Sequence, residues 1–207
     1  MKRIKMIAGI ILVMGAVLVF TYTRGDAVSL QEGIASQVIR LHVVANSDVE
    51  TDQTLKLTVK DAVVTKLRSK LKNAENHEQA RKIIEENLGE IEQEARHVMK
   101  EQGYDYTAKA ILGDAVFPVK QYGDLTFPAG EYEALRINIG KAEGKNWWCV
   151  MYPTLCFVDS TYQVVPEESK EVLKNELTQD EYEMLVQGGE KVSYGFKFLD
   201  WLEKIVG

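Results

Sequence analysis

The sequence predicts a single α+β domain in which helices pack on a mostly antiparallel sheet, preceded by an N-terminal signal or anchor helix. Three observations predict this class. The first half of the chain has two long helical stripes of apolar residues, whereas the second half holds all four prolines and most of the aromatic residues. The chain also begins with a basic and then apolar segment. We therefore expect a signal or anchor over residues 1–27 and one extracytoplasmic domain over residues 28–207.

The N-terminal segment has basic residues at positions 2, 3 and 5, followed by an uncharged apolar run over residues 6–20. A basic head before an apolar run is typical of a secretory signal. The run is shorter than the roughly 20 residues that span a bilayer, although residues 6–22 can still serve as an uncleaved membrane anchor. We therefore expect an exported protein.

Residues 38–44 alternate between an apolar face and a more polar face, which predicts a strand. The apolar face, which we expect to point inward, consists of Ile39, Leu41 and Val43. The opposite face carries Arg40 and His42. A solvent-facing or hydrogen-bonded structural histidine is the simplest interpretation of His42. Residues 46–48 break the strand.

Two apolar stripes predict helices after this strand. The first helix should begin near Asp48 or Asp52, since both residues are good N-caps. Its buried face is predicted to contain Leu55, Val59, Val63, Leu67 and Leu71. The second stripe is predicted to contain Ala80, Ile84, Leu88, Ile91, Ala95 and Val98. It passes through Gly89, which lowers helix propensity without ending a helix, and Gly103 is the expected C-cap.

The second half of the chain predicts strands first and helices afterwards. The expected strands cover residues 104–112, 116–122, 132–139 and 147–158, the last being interrupted at Pro153. A turn is expected over residues 128–130. The expected helices cover residues 167–177, 178–186 and 196–206. Thr178 and Glu181 have the spacing of a capping box.

The composition excludes several classes of function. A formal charge of −6 and a pI near 5.2 argue against nucleic-acid binding. Residues 1–27 carry a net charge of +3, so the remaining chain carries −9 and should not adsorb tightly to anionic lipid headgroups. Six residues separate Cys149 from Cys156, which is not the spacing of a zinc-binding pair. We expect neither a metal ion nor a cofactor.

Cys149 and Cys156 have two plausible roles as a pair. After export, two thiols in one small domain meet oxidants, so we expect a disulfide between them. Two buried apolar thiols are the alternative. An enzymatic alternative is a secreted thiol-dependent or wall-cleaving hydrolase, in which His42 would activate a cysteine and Asp159 would orient the histidine. The spacing of these residues does not favour it.

Several ordered motifs resemble the stage II sporulation protein R family. They read IRLHVVANSD over 39–48, DQTLKLTVKD over 52–61, FPVKQYG over 117–123, PAGEYEALR over 128–136, GKAEGKNWWCV over 140–150 and PTLCF over 153–157. The residues MYPT over 151–154 depart from the more apolar, proline-rich family pattern. The resemblance implies a signalling protein of endospore formation, exported across the forespore membrane into the space between forespore and mother cell. There it would activate a membrane-embedded aspartic peptidase that processes the pro-form of sigma-E. It implies a ligand of that peptidase, not an enzyme.

We expect the extracytoplasmic part of that peptidase to bind polar residues at two turns of the domain, together with exposed aromatic residues. The predicted binding residues are His42, Asn46, Asp48, Asp52, Arg136, Trp147 and Trp148. Adjacent tryptophans on a strand point to opposite faces, so one of the two can belong to the core. A purely structural role for Asn46 and Asp48, as a turn and a helix cap, is the alternative.

Overall fold

The protein has an α+β fold, as the sequence predicts. The structure, a computed structural model, describes residues 14–15, 27–156 and 164–188. The helices are α1 (residues 27–37), α2 (Glu50–Leu71), α3 (His77–Glu86), α4 (Leu88–Glu101), α5 (Glu167–Glu176) and α6 (Gln179–Val186). The strands are β1 (Ile39–Val44), β2 (Ala108–Phe117), β3 (Lys120–Tyr122), β4 (Leu125–Phe127), β5 (Gly130–Ile139) and β6 (Asn146–Tyr152).

Nearly all of the predicted signal or anchor over residues 1–27, and the predicted helix over 196–206, lie outside the described residues. Within the part of the chain that the structure describes, no helix has both the length and the apolar character needed to cross a membrane. The division into residues 1–27 and 28–207 stays a prediction.

Four strands form one sheet in the order β2-β5-β1-β6. The β2–β5 and β1–β6 pairs are antiparallel and the β1–β5 pair is parallel, so the prediction of a mostly antiparallel sheet is confirmed. Strands β3 and β4 form a separate antiparallel hairpin. The first strand of the chain thus lies between the two last strands of the sheet.

One face of the sheet is covered by α2, α3 and α4. Ile39, Leu41 and Val43 are completely buried against this helical layer, as their alternation predicts. Both predicted helical stripes contribute to the same cluster: every predicted residue is buried except Leu88, which is partly buried. Burial of these stripes against the sheet supplies the apolar partner that each amphipathic helix needs.

The other face of β1 is also buried at its first half, which the sequence did not predict. A second cluster covers it and is built from α1, the β3–β4 hairpin, α5 and α6. Its most buried members include Ile34, Phe117, Leu125, Phe127, Tyr132 and Leu173. Arg40, predicted to lie on a more polar face, is 0% exposed inside this cluster.

The guanidinium of Arg40 is held by aromatic rings and by two hydrogen bonds. Its Nε donates to the Cys149 carbonyl at 3.1 Å and its Nη2 donates to the Tyr122 hydroxyl at 3.1 Å. The guanidinium carbon lies 4.4 Å from the centre of the Phe117 ring and 4.8 Å from that of Tyr132. Burial lowers the pKa of Arg40, and among the described residues no carboxylate pairs with it.

The helices differ from the prediction in three respects. Helix α2 begins at Glu50 with Val49 at its N-cap, and no side chain caps it. The second stripe is divided between α3 and α4 at Asn87, so the prediction of one helix through Gly89 is wrong. The Asn87 side chain donates to the Ile83 carbonyl at 2.7 Å, which offers the backbone an alternative to the helical bond. Helix α1 was not predicted at all.

In the second half of the chain, strands were predicted over residues 104–112 and 116–122. The structure instead has the long strand β2, which extends through the predicted gap, and the short strand β3. Strand β4 was not predicted. Strand β6 ends before Pro153, so no strand follows that proline among the described residues. The C-cap of α4 is Gln102, and Gly103, which was predicted as the C-cap, is the next residue with a φ of 81°. The capping box at the start of α6 is present, so that prediction is confirmed.

Candidate functional site

The seven predicted binding residues lie in three different places. Asn46, Asp48 and Asp52 form a hydrogen-bonded junction where β1 leads into α2. Trp147 lies on the helix-covered face of the sheet. The remaining three side chains belong to one row across the opposite face, and they are His42, Arg136 and Trp148.

The junction joins residues 46–52 to the loop over residues 140–145, and we call it the clasp. The Asn46 side chain accepts from the Lys141 amide at 3.0 Å and the Asp48 carboxylate accepts from the Lys145 amide at 2.7 Å. Backbone bonds from the amides of Glu143 and Gly144 to residues 46 and 45 close the same contact. The polar side chains of the clasp are therefore occupied by the protein itself.

Asp52 is the buried centre of the clasp, with 3% of its surface exposed. Its Oδ2 accepts hydrogen bonds from the Asn46 amide group at 2.8 Å and from the Ser47 hydroxyl at 2.6 Å. Burial alone would raise the pKa of Asp52, but the hydrogen bonds from Ser47, Asn46 and Tyr106 outweigh it and hold the pKa below its usual value. The carboxylate thus stays charged within the fold.

Two glycines let the loops of the clasp approach closely. A Cβ on Gly144 would lie 2.2 Å from the Ser47 carbonyl oxygen, and a Cβ on Gly140 would lie 2.3 Å from the Asn46 side-chain oxygen. Gly140 also has a φ of 56°, which favours glycine. These contacts support the alternative that Asn46 has a structural role in a turn. The prediction that Asp48 or Asp52 caps α2 is wrong, because Val49 is the N-cap and no side chain caps this helix.

Trp147 packs against the first core cluster instead of standing free. The Lys60 ammonium lies 4.7 Å from the centre of the Trp147 ring, a cation–π contact across the helix–sheet interface. Strand geometry accounts for this, since neighbouring residues of β6 point to opposite faces. The structure therefore does not bring Trp147 together with Trp148.

We call the set Ile111, Arg136, His42 and Trp148 the cross-sheet row. His42 is in register with both Arg136 and Trp148, and Arg136 is in register with Ile111. Residues in register share a face of the sheet. All four side chains are partly exposed. The row lies at the edge of the second cluster, against which Trp148 packs.

Aromatic packing fixes His42 in the cross-sheet row. Its ring stacks on Trp148 with centroids 3.9 Å apart, and Trp148 meets the buried ring of Phe117 edge-on at 4.7 Å. His42 Nε2 lies 2.7 Å from the Asn146 side-chain oxygen, so this nitrogen carries the donated hydrogen. The other ring nitrogen, Nδ1, is buried with no hydrogen-bond partner in the described structure, as is Nε of Arg136.

The charge state of His42 follows from this packing. Burial lowers the pKa of the imidazole, the hydrogen bond to Asn146 raises it, and the neighbouring Arg136 charge lowers it again, with a net lowering. His42 is thus neutral at pH 7, and the charge of the row comes from Arg136.

The predicted disulfide between Cys149 and Cys156 is present. It uses both cysteines of the sequence, so no thiol remains free. Cys149 is also in register with Leu41 on the helix-covered face, opposite to His42. Asp159 lies outside the described residues. The structure therefore does not assemble the cysteine–histidine pair that the hydrolase alternative requires.

Sequence reasoning missed Ile111, which belongs to the cross-sheet row, and Asn146, which accepts the hydrogen bond from His42. Only the strand register places these two residues beside the predicted ones, because it pairs Ile111 with Arg136 and Asn146 with Val44. Register between distant strands cannot be read from local alternation, because alternation describes one strand at a time.

The model of the family "Stage II sporulation protein R (spore_II_R)" matches residues 35–162, a range that contains both the clasp and the cross-sheet row. The chain is also 41% identical over 145 residues to "Stage II sporulation protein R" of Bacillus subtilis (strain 168). This match covers 69% of the chain and 65% of that relative, just under two thirds of its length. No solved structure matches the chain. On the family match and this identity, the chain belongs to the stage II sporulation protein R family.

Proposed function

We propose that this protein is an exported intercellular signal of endospore formation, which activates the membrane-embedded peptidase that processes the pro-form of sigma-E. Membership of the sporulation family supports a role in sporulation. The basic and then apolar segment over residues 1–20 supports export. On this proposal the protein acts between forespore and mother cell by binding the extracytoplasmic part of the peptidase.

The cross-sheet row is the observation that carries the binding role. A folded protein normally pairs its buried polar atoms, yet Nδ1 of His42 and Nε of Arg136 have no partner among the described residues. Trp148 is held beside them by stacking and is partly exposed. Aromatic and arginine side chains fixed in place at a partly exposed surface are the residue types that anchor protein interfaces.

The test is reconstitution of processing in a host that does not sporulate. The peptidase and pro-sigma-E are produced with this protein directed to the opposite side of the membrane, and cleavage is followed on immunoblots. We expect cleavage only when the protein is exported. Cleavage of pro-sigma-E without this protein, or none with it, would contradict the proposed activation.

Export is tested separately by placing two charges in the apolar run, as Leu12→Arg with Val13→Arg. Each arginine at the centre of such a segment opposes insertion by about 2.5–3.5 kcal/mol, so the double variant should remain in the cytoplasm and fail to trigger processing. A lysine pair introduced at the exposed positions Glu78 and Glu86 is the control, because both lie on the surface of the folded domain. Unchanged export of the arginine variant would refute the signal.

A further inference from the structure

The part of this sheet face at the edge of the second cluster carries two cations that have no carboxylate partner in the described structure. Two adjacent rows in register make up this surface, which we call the platform. Its members are Ile111, Arg136, His42 and Trp148 in the first row, and Lys109, Asn138, Val44 and Asn146 in the second. Two of the eight are cations and none is an acid.

The cations of the platform differ from those surface cations of the domain that form ion pairs. Arg81 and Lys66 each pair with a glutamate, at 2.9 Å in both cases. Arg136 and Lys109 have no carboxylate partner among the described residues. On the same face of β1, the buried guanidinium of Arg40 also lacks a carboxylate partner there.

This local charge contrasts with the charge of the whole chain, which is −6. An acidic protein is repelled by an anionic membrane surface over distances of about a Debye length. A single positive site on it can still attract a carboxylate that is presented on a short segment. Charge complementarity therefore favours an acidic peptide over a lipid surface as the occupant.

The dimensions of the platform fit an extended peptide. Four neighbouring strands about 4.8 Å apart place the ends of a row roughly 14 Å from each other. About four or five residues of extended chain cover that distance. Such a segment would place one carboxylate at Arg136 and an apolar side chain at the stacked rings of His42 and Trp148.

We propose that the platform binds a short, extended, glutamate- or aspartate-bearing segment of the partner protein, with Arg136 pairing with its carboxylate and Trp148 packing against the adjacent apolar side chain. The platform proposal rests on the proposed function in one respect only, namely that the peptidase is the protein that presents the segment. The partly exposed guanidinium of Arg136, which has no carboxylate partner in the described structure, and the partly exposed side chain of Trp148 supply the two recognition elements.

The test measures binding of a probe peptide to the full chain in zwitterionic lipid nanodiscs. The probe is a fluorescent, acetylated and amidated pentapeptide with the sequence Thr-Glu-Val-Glu-Leu, and its counterpart carries glutamine in place of both glutamates. We expect anisotropy to report binding of the glutamate peptide only. Arg136→Gln should weaken this binding about tenfold or more, because a charge-assisted bond is lost.

Lys82→Gln is the matched control, since it removes the same single charge from an exposed residue of α3. It should leave peptide binding unchanged. Thermal melting of each variant excludes misfolding as the cause of a loss, and Arg136→Lys, which keeps the charge, should restore part of the affinity. Equal binding of the two peptides, or equal effects of Arg136→Gln and Lys82→Gln, would overturn the proposal.

A lipid source for the anion is tested by sedimentation with phosphatidylglycerol vesicles. Binding to vesicles that depends on Arg136, without binding of the glutamate peptide, would overturn the proposal in favour of a lipid headgroup. These measurements do not use the peptidase. Failure of the processing assay together with intact peptide binding would therefore count against the proposed function and not against the platform.

Discussion

The clasp and the platform meet at the same end of β1, and both are rich in polar residues, yet they use those residues in opposite ways. In the clasp, Asp52 accepts two side-chain hydrogen bonds and is almost completely buried. In the platform, Arg136 and His42 each keep a buried nitrogen with no partner in the described structure. The clasp is closed upon itself, whereas the platform is left with hydrogen-bonding capacity.

This difference shows how to separate structural from recognition residues when a sequence motif contains both. A polar group whose hydrogen bonds are already made within the fold gains less from a binding partner than an unpaired group does, because the fold already supplies its partners. An unpaired group at a partly exposed surface gains a bond without losing one. Substitutions in the clasp should therefore change stability, and substitutions in the platform should change signalling.

The largest effect is expected for Asp52→Ala. It leaves the Asn46 and Ser47 donors without their charged acceptor, and each such bond is worth about 1.5–3 kcal/mol. We expect a loss of about 3 kcal/mol and a melting temperature lower by roughly 6–12 °C, measured by circular dichroism. Asp105→Ala, at an exposed position, is the control. Similar melting of both variants would mean that the clasp does not stabilise the fold.

A smaller loss is expected for Gly144→Ala. Its added Cβ would meet the Ser47 carbonyl oxygen, so the two loops must separate, at about 2 kcal/mol for overpacking of this kind. Gly89→Ala provides a control of opposite sign, because nothing lies within 4 Å of that Cβ and alanine favours a helix by up to about 1 kcal/mol. Chemical denaturation should rank Gly89→Ala above the wild type and Gly144→Ala below it.

For the platform, Arg136→Gln should have almost no effect on stability, within about 0.5 kcal/mol, because no bond within the described structure is lost. In the processing assay the same variant should greatly reduce cleavage of pro-sigma-E. Stable protein with normal cleavage would remove Arg136 from the binding surface. A strongly destabilised variant would show that the guanidinium is structural after all.

The smallest effect concerns pH and His42. Because burial lowers the pKa of this imidazole, the unfolded chain binds more protons than the folded one as pH falls below about 6.5. Stability is therefore complete above that value and decreases as pH falls through the folded pKa. His42→Gln should remove this part of the pH dependence between pH 7 and pH 5. If the melting temperature falls by the same amount between pH 7 and pH 5 in the wild type and in His42→Gln, the lowered pKa of His42 is contradicted.

The elements of the fold that the sequence predicted correctly are those that local periodicity determines. The stripes Leu55–Leu71 and Ala80–Val98, and the inward face of β1, repeat at helical or strand periods and lie where those periods predict. The division at Asn87 was missed because a side-chain bond, and not a loss of apolar pattern, separates α3 from α4. The disulfide was predicted from oxidation after export and from the proximity of the two cysteines in sequence.

The burial of the second face of the sheet could not be predicted. An arginine such as Arg40 normally indicates a solvent-exposed position, but tertiary contacts bury it here. Its partners, Tyr122 and Cys149, are 82 and 109 positions away in sequence. The candidate site shares this property. His42, Arg136 and Trp148 were chosen as polar or aromatic residues near turns, but only the register shows that they form one row while Trp147 does not.

The central position of β1 has a consequence for synthesis. Residues 39–44 leave the ribosome early, but both of their sheet neighbours come much later, since β5 ends at Ile139. At about 5–20 residues per second, the growing chain needs roughly 5–20 seconds to supply the first neighbour. During that interval α2, α3 and α4, whose contacts are local, are the elements able to form. The strand that bears His42 therefore has no sheet partner until β5 has been synthesised, and the cross-sheet row can be complete only after β6, which ends at Tyr152 of the 207 residues.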